Sequence, residues 1–181
     1  TGADILRNNI TMLHGLLSLM MGGINPEESA ILEKALFETY ALKDITTDIA
    51  YHKNPPPLLK DLQSVLQNMT AAETMVNKLS KYTEGTFKGL FDKPTNFELQ
   101  NGFTVFSVRD LEDDLRPIAM YMILNYVWQR VRFDMRRRIL IIDEAWWMMQ
   151  YADSGKFLFA LAKRARKYYL GLTIVSQDVE D

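Results

Sequence analysis

Apolar residues recur every three to four positions over the first ~85 residues and then change to short unbroken runs, so the chain predicts two kinds of structure. Over residues 4–21, Ile5, Leu6, Ile10, Leu13, Leu16, Leu17 and Met20 fall on one helical face, and Gly22-Gly23 end the pattern. Asn25-Pro26-Glu27-Glu28 then predicts a second helix to about Leu42, with Asn as N-cap, Pro in the first turn and Glu three residues on. Three prolines in residues 52–57 fix φ and remove donors, which predicts a stiff loop. A short helix is expected over 58–67. Thr70-Ala71-Ala72-Glu73 reads as the capping box of a fourth helix ending near Tyr82. Residues 1–84 are therefore expected to form a helical subdomain, a compact bundle or lid.

From residue 85 the pattern changes. Gly85, Gly89, Pro94 and Gly102 punctuate a stretch of aromatics and short apolar runs. Residues 103–108 predict a buried strand, and 113–133 a long helix that tolerates Pro117 only in its first turn. Residues 139–142 predict a second strand, 154–168 a helix closed by Gly171, and 172–176 a third strand ending at Gln177. Strands alternating with helices predict an α/β fold with a parallel sheet over 85–181.

The strand at 139–142 carries the chemistry. Ile139-Leu140-Ile141-Ile142 is apolar and mostly β-branched, as in a strand buried on both faces, and Asp143-Glu144 follow where it would leave its sheet. Ligands bind at the carboxyl ends of such strands. An Asp there can hold Mg2+, and the adjacent Glu can polarise a water aimed at a phosphate, as in the Walker B element of a nucleoside triphosphatase. The same residues also fit a buried strand followed by an acidic helix N-cap. If the three strands are parallel, Arg109-Asp110, Asp143-Glu144 and Gln177-Asp178 share one edge. Gln177 could then bond the attacking water or a terminal phosphate oxygen. Asp110 fits equally well as an acid leading a helix. Lys163-Arg164-Ala165-Arg166-Lys167 is either a solvated cluster complementing a helix dipole or the source of an arginine finger. Arg136, Arg137 and Arg138 read as solvated, with nucleic acid or lipid headgroups as the other option. Trp146, Trp147, Met148 and Met149 read as core or subunit interface rather than a nucleotide-stacking platform.

Composition narrows the choice. With no cysteine, disulfides and thiolate zinc sites are excluded, and the two histidines, His14 and His52, lack metal-ligand spacing. A net charge of −2 gives no overall attraction to nucleic acid or anionic membrane, so either contact would need a local basic patch. No apolar run reaches the ~18 residues of a membrane span. The chain also contains no Gly-x-x-x-x-Gly-Lys-Ser/Thr loop: Gly22-Gly23 lacks the Lys-Ser/Thr, and Gly85-Thr86-Phe87-Lys88-Gly89 does not fit. The backbone cradle for phosphates would have to come from upstream.

Taken in order, these parts resemble the ATPase domain of the type IV secretion and conjugative-transfer family, of VirB-four or TraC type. Over nearly the whole chain the resemblance rests on Ala3-Asp4-Ile5-Leu6-Arg7-Asn8-Asn9, Tyr82-Thr83-Glu84-Gly85-Thr86-Phe87-Lys88-Gly89-Leu90-Phe91-Asp92 and Val105-Phe106-Ser107-Val108-Arg109-Asp110-Leu111. Ile141-Ile142-Asp143-Glu144-Ala145-Trp146, Ala165-Arg166-Lys167 and Ser176-Gln177-Asp178-Val179 complete it. The resemblance implies a RecA-like P-loop core with a helical insertion, using ATP and Mg2+ to drive channel assembly or transfer of protein and DNA. By position it implies Asp143 as the magnesium ligand, Glu144, Gln177 and Arg166 as catalytic groups, and Lys167 as a nucleotide-binding cation; Arg164, from the basic cluster beside that motif, is expected to be a second. It implies a homo-oligomer (a hexamer is one form), contact with other secretion-channel subunits, a place at the cytoplasmic face of the inner membrane and, as an option, DNA contact. The family places Walker A and its strand upstream, so the chain is expected to be the C-terminal part of a motor, inactive alone. Two other readings stay open: a DNA-pumping ATPase of the FtsK and HerA group, and a non-catalytic interaction module.

Overall fold

The computed structural model describes residues 2–94 and 102–177. The chain divides into two compact units, residues 1–101 and 102–181. Asp178 and Val179 lie outside the described residues.

In the first unit, α1 (Gly2–Met20), α2 (Pro26–Ala41), α3 (Leu59–Gln67) and α4 (Glu73–Thr83) pack each on the next, and α5 (Lys88–Phe91) packs on α4. Leu6, Ile10 and Leu17 of α1, Leu32 and Leu36 of α2, Leu66 of α3, and Met75 and Leu79 of α4 are buried in its core. The local signals explain the joints. Gly22 and Gly23 take φ of 72° and 97°, the left-handed region that ends a helix without steric cost. Their amides bond back to Leu19 and Ser18 carbonyls at 3.0 and 2.8 Å. The expected capping box at Asn25 forms in both directions: Glu28 N–H donates to Asn25 Oδ1, and Asn25 N–H to Glu28 Oε2, each at 2.9 Å. Tyr82 donates its hydroxyl to the Met20 carbonyl at 2.9 Å, satisfying an orphan acceptor at the end of α1. Phe91 meets its ring edge-on at 5.3 Å, which ties residues 85–92 to this unit. His14 bonds Ser29 and His52 bonds the Thr46 carbonyl.

One joint differs from expectation. Ala72, not Thr70, precedes α4, and no side chain caps that helix. Ala71 turns the chain with φ 62°, so the four residues do not take the extended entry a capping box needs.

The second unit is α/β. It contains α6 (Arg116–Phe133), β1 (Arg138–Ile142), the short α7 (Trp146–Met149), α8 (Ala152–Ala165), a 3-10 turn (Arg166–Tyr168) and β2 (Leu170–Ile174). β1 and β2 are parallel, with Arg138 opposite Leu170 and Ile142 opposite Ile174. Ile118, Leu124 and Val131 of α6, Leu158 and Leu161 of α8, and Ile142 and Leu170 of the sheet are buried. Trp128 meets Tyr168 edge-on at 5.0 Å, anchoring the end of α6 beside the start of β2.

Three expectations are corrected here. Residues 103–108 form no strand, and Phe103 and Val105 are 85% and 71% exposed. A strand depends on cross-strand partners more than on its own pattern, and among the described residues β1 pairs only with β2. The 139–142 strand is buried on one face, not two, since Ile139 and Ile141 are 78% and 65% exposed. Gly171 does not close a helix: Tyr169 makes the left-handed turn with φ 56°, and Gly171 lies inside β2.

Candidate functional site

Parallel pairing positions the site. The ladder runs one step past both strands: Val175 N–H donates to the Ile142 carbonyl at 2.8 Å, and Ala145 N–H to the Val175 carbonyl at 3.1 Å. The segments leaving β1 and β2 are thereby pinned together at the carboxyl edge of the sheet. Between those two bonds sit Asp143 and Glu144. Glu144 takes φ 52°, a left-handed conformation that costs a residue with a Cβ about 1–2 kcal/mol. Its amide donates to Asp143 Oδ1 at 3.0 Å, which helps hold the turn.

Both oxygens of the Glu144 carboxylate are occupied. Gln177 Nε2 donates to Oε1 at 2.5 Å, across 33 residues of sequence, and Trp146 Nε1 donates to Oε2 at 2.5 Å. An ionised carboxylate offers about four acceptor sites, so each oxygen keeps one for a water. Asp143 is exposed, and among the described residues its Oδ1 accepts from the Glu144 amide while its Oδ2 stays open. Magnesium is usually held by one or two carboxylates plus phosphate and water rather than a protein cage, so a lone exposed Asp at a strand end fits it. Among the described residues no cluster of three acids or histidines competes for that role.

The basic residues stand elsewhere. Arg164 lies in the last turn of α8, and Arg166 and Lys167 lie in the turn that enters β2, at the amino edge of the sheet. Five residue steps lead from Arg138 to Asp143, so at ~3.3 Å per residue the two edges are about 17 Å apart. Arg164, Arg166 and Lys167 are exposed and form no ion pair among the described residues. Within one chain, therefore, Asp143, Glu144 and Gln177 converge, while Arg164, Arg166 and Lys167 do not join them.

Charge follows the same division. Asp110, Glu112, Asp113 and Asp114 precede α6 and Asp153 begins α8, on the side of Asp143 and Glu144. Arg130, Arg132, Arg136, Arg137 and Arg138 join Lys163, Arg164, Arg166 and Lys167 at the opposite edge, where Asp134 pairs with Arg136 and Arg138. Helices antiparallel to the strands, with acids at their starts and bases at their ends, produce this polarity. Sequence reasoning missed Trp146, taken there for core or interface. The available signal was an indole N–H, a donor with no acceptor function, two residues after a carboxylate.

Comparison with known proteins places the chain's fold. The family model of the TraG P-loop domain matches residues 58–181. A solved structure described as the structure of VirB4 of Thermoanaerobacter pseudethanolicus is similar at a TM-score of 0.83 and 30% identity, covering 94% of this chain and 49% of that one. The chain thus spans about half the length of that structure. No curated protein matches.

Proposed function

The chain belongs to the TraG P-loop domain family, among the VirB4 and TraC type of ATPases, and from that membership we propose that it is the C-terminal part of an ATP-hydrolysing motor for type IV secretion or conjugative transfer. The supporting observation is the convergence of Gln177 on Glu144 beside Asp143, at the carboxyl edge of two parallel strands. In this reading Asp143 would hold Mg2+, which when bound neutralises charge on the phosphates of ATP. Glu144 orients a water and accepts its proton. Gln177 holds Glu144 until a terminal phosphate draws its amide away, which makes it a sensor of that phosphate.

Arg166 would act across a subunit boundary, because the two edges of the sheet stand too far apart for one arginine side chain to span. Arg164 and Lys167 would lie beside it on the same phosphates. The opposite charges of the two edges support such head-to-tail contact between copies of a homo-oligomer, a hexamer being one closed form. We extend the proposal to work with other secretion-channel subunits at the cytoplasmic face of the inner membrane.

The test compares Mg-ATP binding and hydrolysis by this chain with those of the intact protein as its gene encodes it. Turnover in the intact protein alone is expected. Silence in both would leave Asp143-Glu144 as a strand end with a cap and favour an interaction module. Strong, salt-sensitive stimulation by DNA would shift the reading toward a DNA pump.

A further inference from the structure

The hydrogen bond from Trp146 to Glu144 is unusual in what seats it. Trp146 is half-buried, and its N–H points at the carboxylate of the residue two before it rather than at a backbone carbonyl. Its ring is stacked on Trp147, with centroids 4.1 Å apart and planes 27° from parallel. The Arg116 guanidinium lies 5.2 Å from the Trp147 ring. Arg116 is itself fixed from three sides: it pairs with Asp113 at 3.0 Å and donates to the Leu111 and Arg109 carbonyls at 3.1 and 3.2 Å. Arg116 thus braces the face of Trp147, and Trp147 in turn the ring of Trp146, from outside the segment that carries Glu144.

We propose that Trp146 is a positioning residue for Glu144, and that the Arg116–Trp147 stack is its buttress. A glutamate side chain has three rotatable bonds, and a single donor leaves the carboxylate free to swing about the bonded oxygen. Two donors on different elements, Trp146 from α7 and Gln177 after β2, fix both oxygens and so fix the direction of the remaining acceptor sites. Gln177 is an exposed amide able to leave. The indole cannot leave without unstacking, so it holds the carboxylate when Gln177 turns to another acceptor. This rests on the reading of Glu144 as the group that acts on water.

The test uses the intact protein. Trp146→Phe keeps the stacked ring and removes the N–H; kcat for ATP should fall by about tenfold or more, with KM changed by no more than about twofold. Trp146→His retains a ring donor and should recover part of the loss, which a purely structural role would not produce. Wild-type kcat in Trp146→Phe, with Glu144→Gln inactive, would overturn the positioning role and leave the hydrolytic reading intact. Wild-type turnover in Glu144→Gln would overturn the hydrolytic reading instead. The contact is also read without turnover and without a Trp146 variant that might misfold. In protein labelled with 5-fluorotryptophan, one fluorine resonance beyond those of distant tryptophans should shift in Glu144→Gln and in Arg116→Ala. A spectrum unchanged in both would sink the proposal.

Discussion

Glu144→Gln separates stability from turnover, and the structure says by how much. In the wild type both neighbours of the carboxylate are donors, the Trp146 indole and the Gln177 amide. A glutamine at 144 offers one oxygen and one NH2, so one neighbour would face a donor. The indole cannot adapt, but the exposed Gln177 amide can rotate and present its oxygen. Both hydrogen bonds then survive as neutral ones, each weaker than its charge-assisted form by about 1 kcal/mol. Because Gln177 is solvent-exposed, the expected loss is about 1–2 kcal/mol in all. Removing a base that takes a proton in the transition state costs far more, about 10²- to 10⁴-fold in rate. The assay is urea denaturation beside steady-state ATP hydrolysis and nucleotide binding in the intact protein, with binding expected unchanged. Turnover within about threefold of wild type would refute the role of Glu144, since the expected rate loss is at least 10²-fold. A stability loss above about 4 kcal/mol would refute the rearrangement of Gln177, because it would mean a group left buried and unpaired.

The other predictions concern the rest of the molecule. Arg166→Ala should reduce turnover of the intact protein, and mixing it with Glu144→Gln should restore part of it; no recovery over a range of mixing ratios would argue against action between subunits. Leu66→Ala removes a fully buried side chain from the helical unit and should cost about 2–5 kcal/mol in denaturant unfolding. A loss below about 1 kcal/mol would mean that site collapses without a cavity. Burial holds the Tyr40 and Tyr121 hydroxyls above the ordinary tyrosine value of 10.0. The unfolded chain therefore releases these protons first as pH rises. Stability should be constant on this account below about pH 10 and fall above it until the folded hydroxyls also ionise. Melting curves from pH 9 to 11.5 should show a shallower fall in Tyr40→Phe.

Local signals were legible in part, since the capping box at Thr70 and the helix stop at Gly171 did not form. The capping box at Asn25 and the glycine stop at residues 22–23 are decided within five residues, and both appear as expected. Asp143 and Gln177 were placed by a longer argument, that two apolar runs separated by a helix lie parallel, and the register confirms that pairing. Residues 103–108 have an equally good strand pattern, but that pattern cannot supply the ladder partner the described residues lack. Trp146 was illegible for another reason. Whether an indole packs inward or turns its N–H to a carboxylate depends on its surroundings, here the Arg116–Trp147 contact between residues 31 apart in sequence. Likewise the separation of Arg166 from Glu144 follows from which end of the sheet the α8 turn enters, a property of topology and not of either motif.

The half-exposed strand β1 has a consequence for handling the protein. Arg138-Ile139-Leu140-Ile141-Ile142 combines high β propensity with an exposed apolar face, the makeup of an aggregation nucleus. Arg136 and Arg137 stand immediately before it and Asp143 and Glu144 immediately after, so charges bracket the run on both sides. Such residues act as gatekeepers, because stacking identical strands would bring like charges into register. The carboxylates proposed for chemistry would thus also guard this run. Neutralising them for an enzymatic experiment weakens one side of that guard, and Glu144→Gln should precipitate more readily in low salt than Arg166→Ala, whose charge lies outside the run.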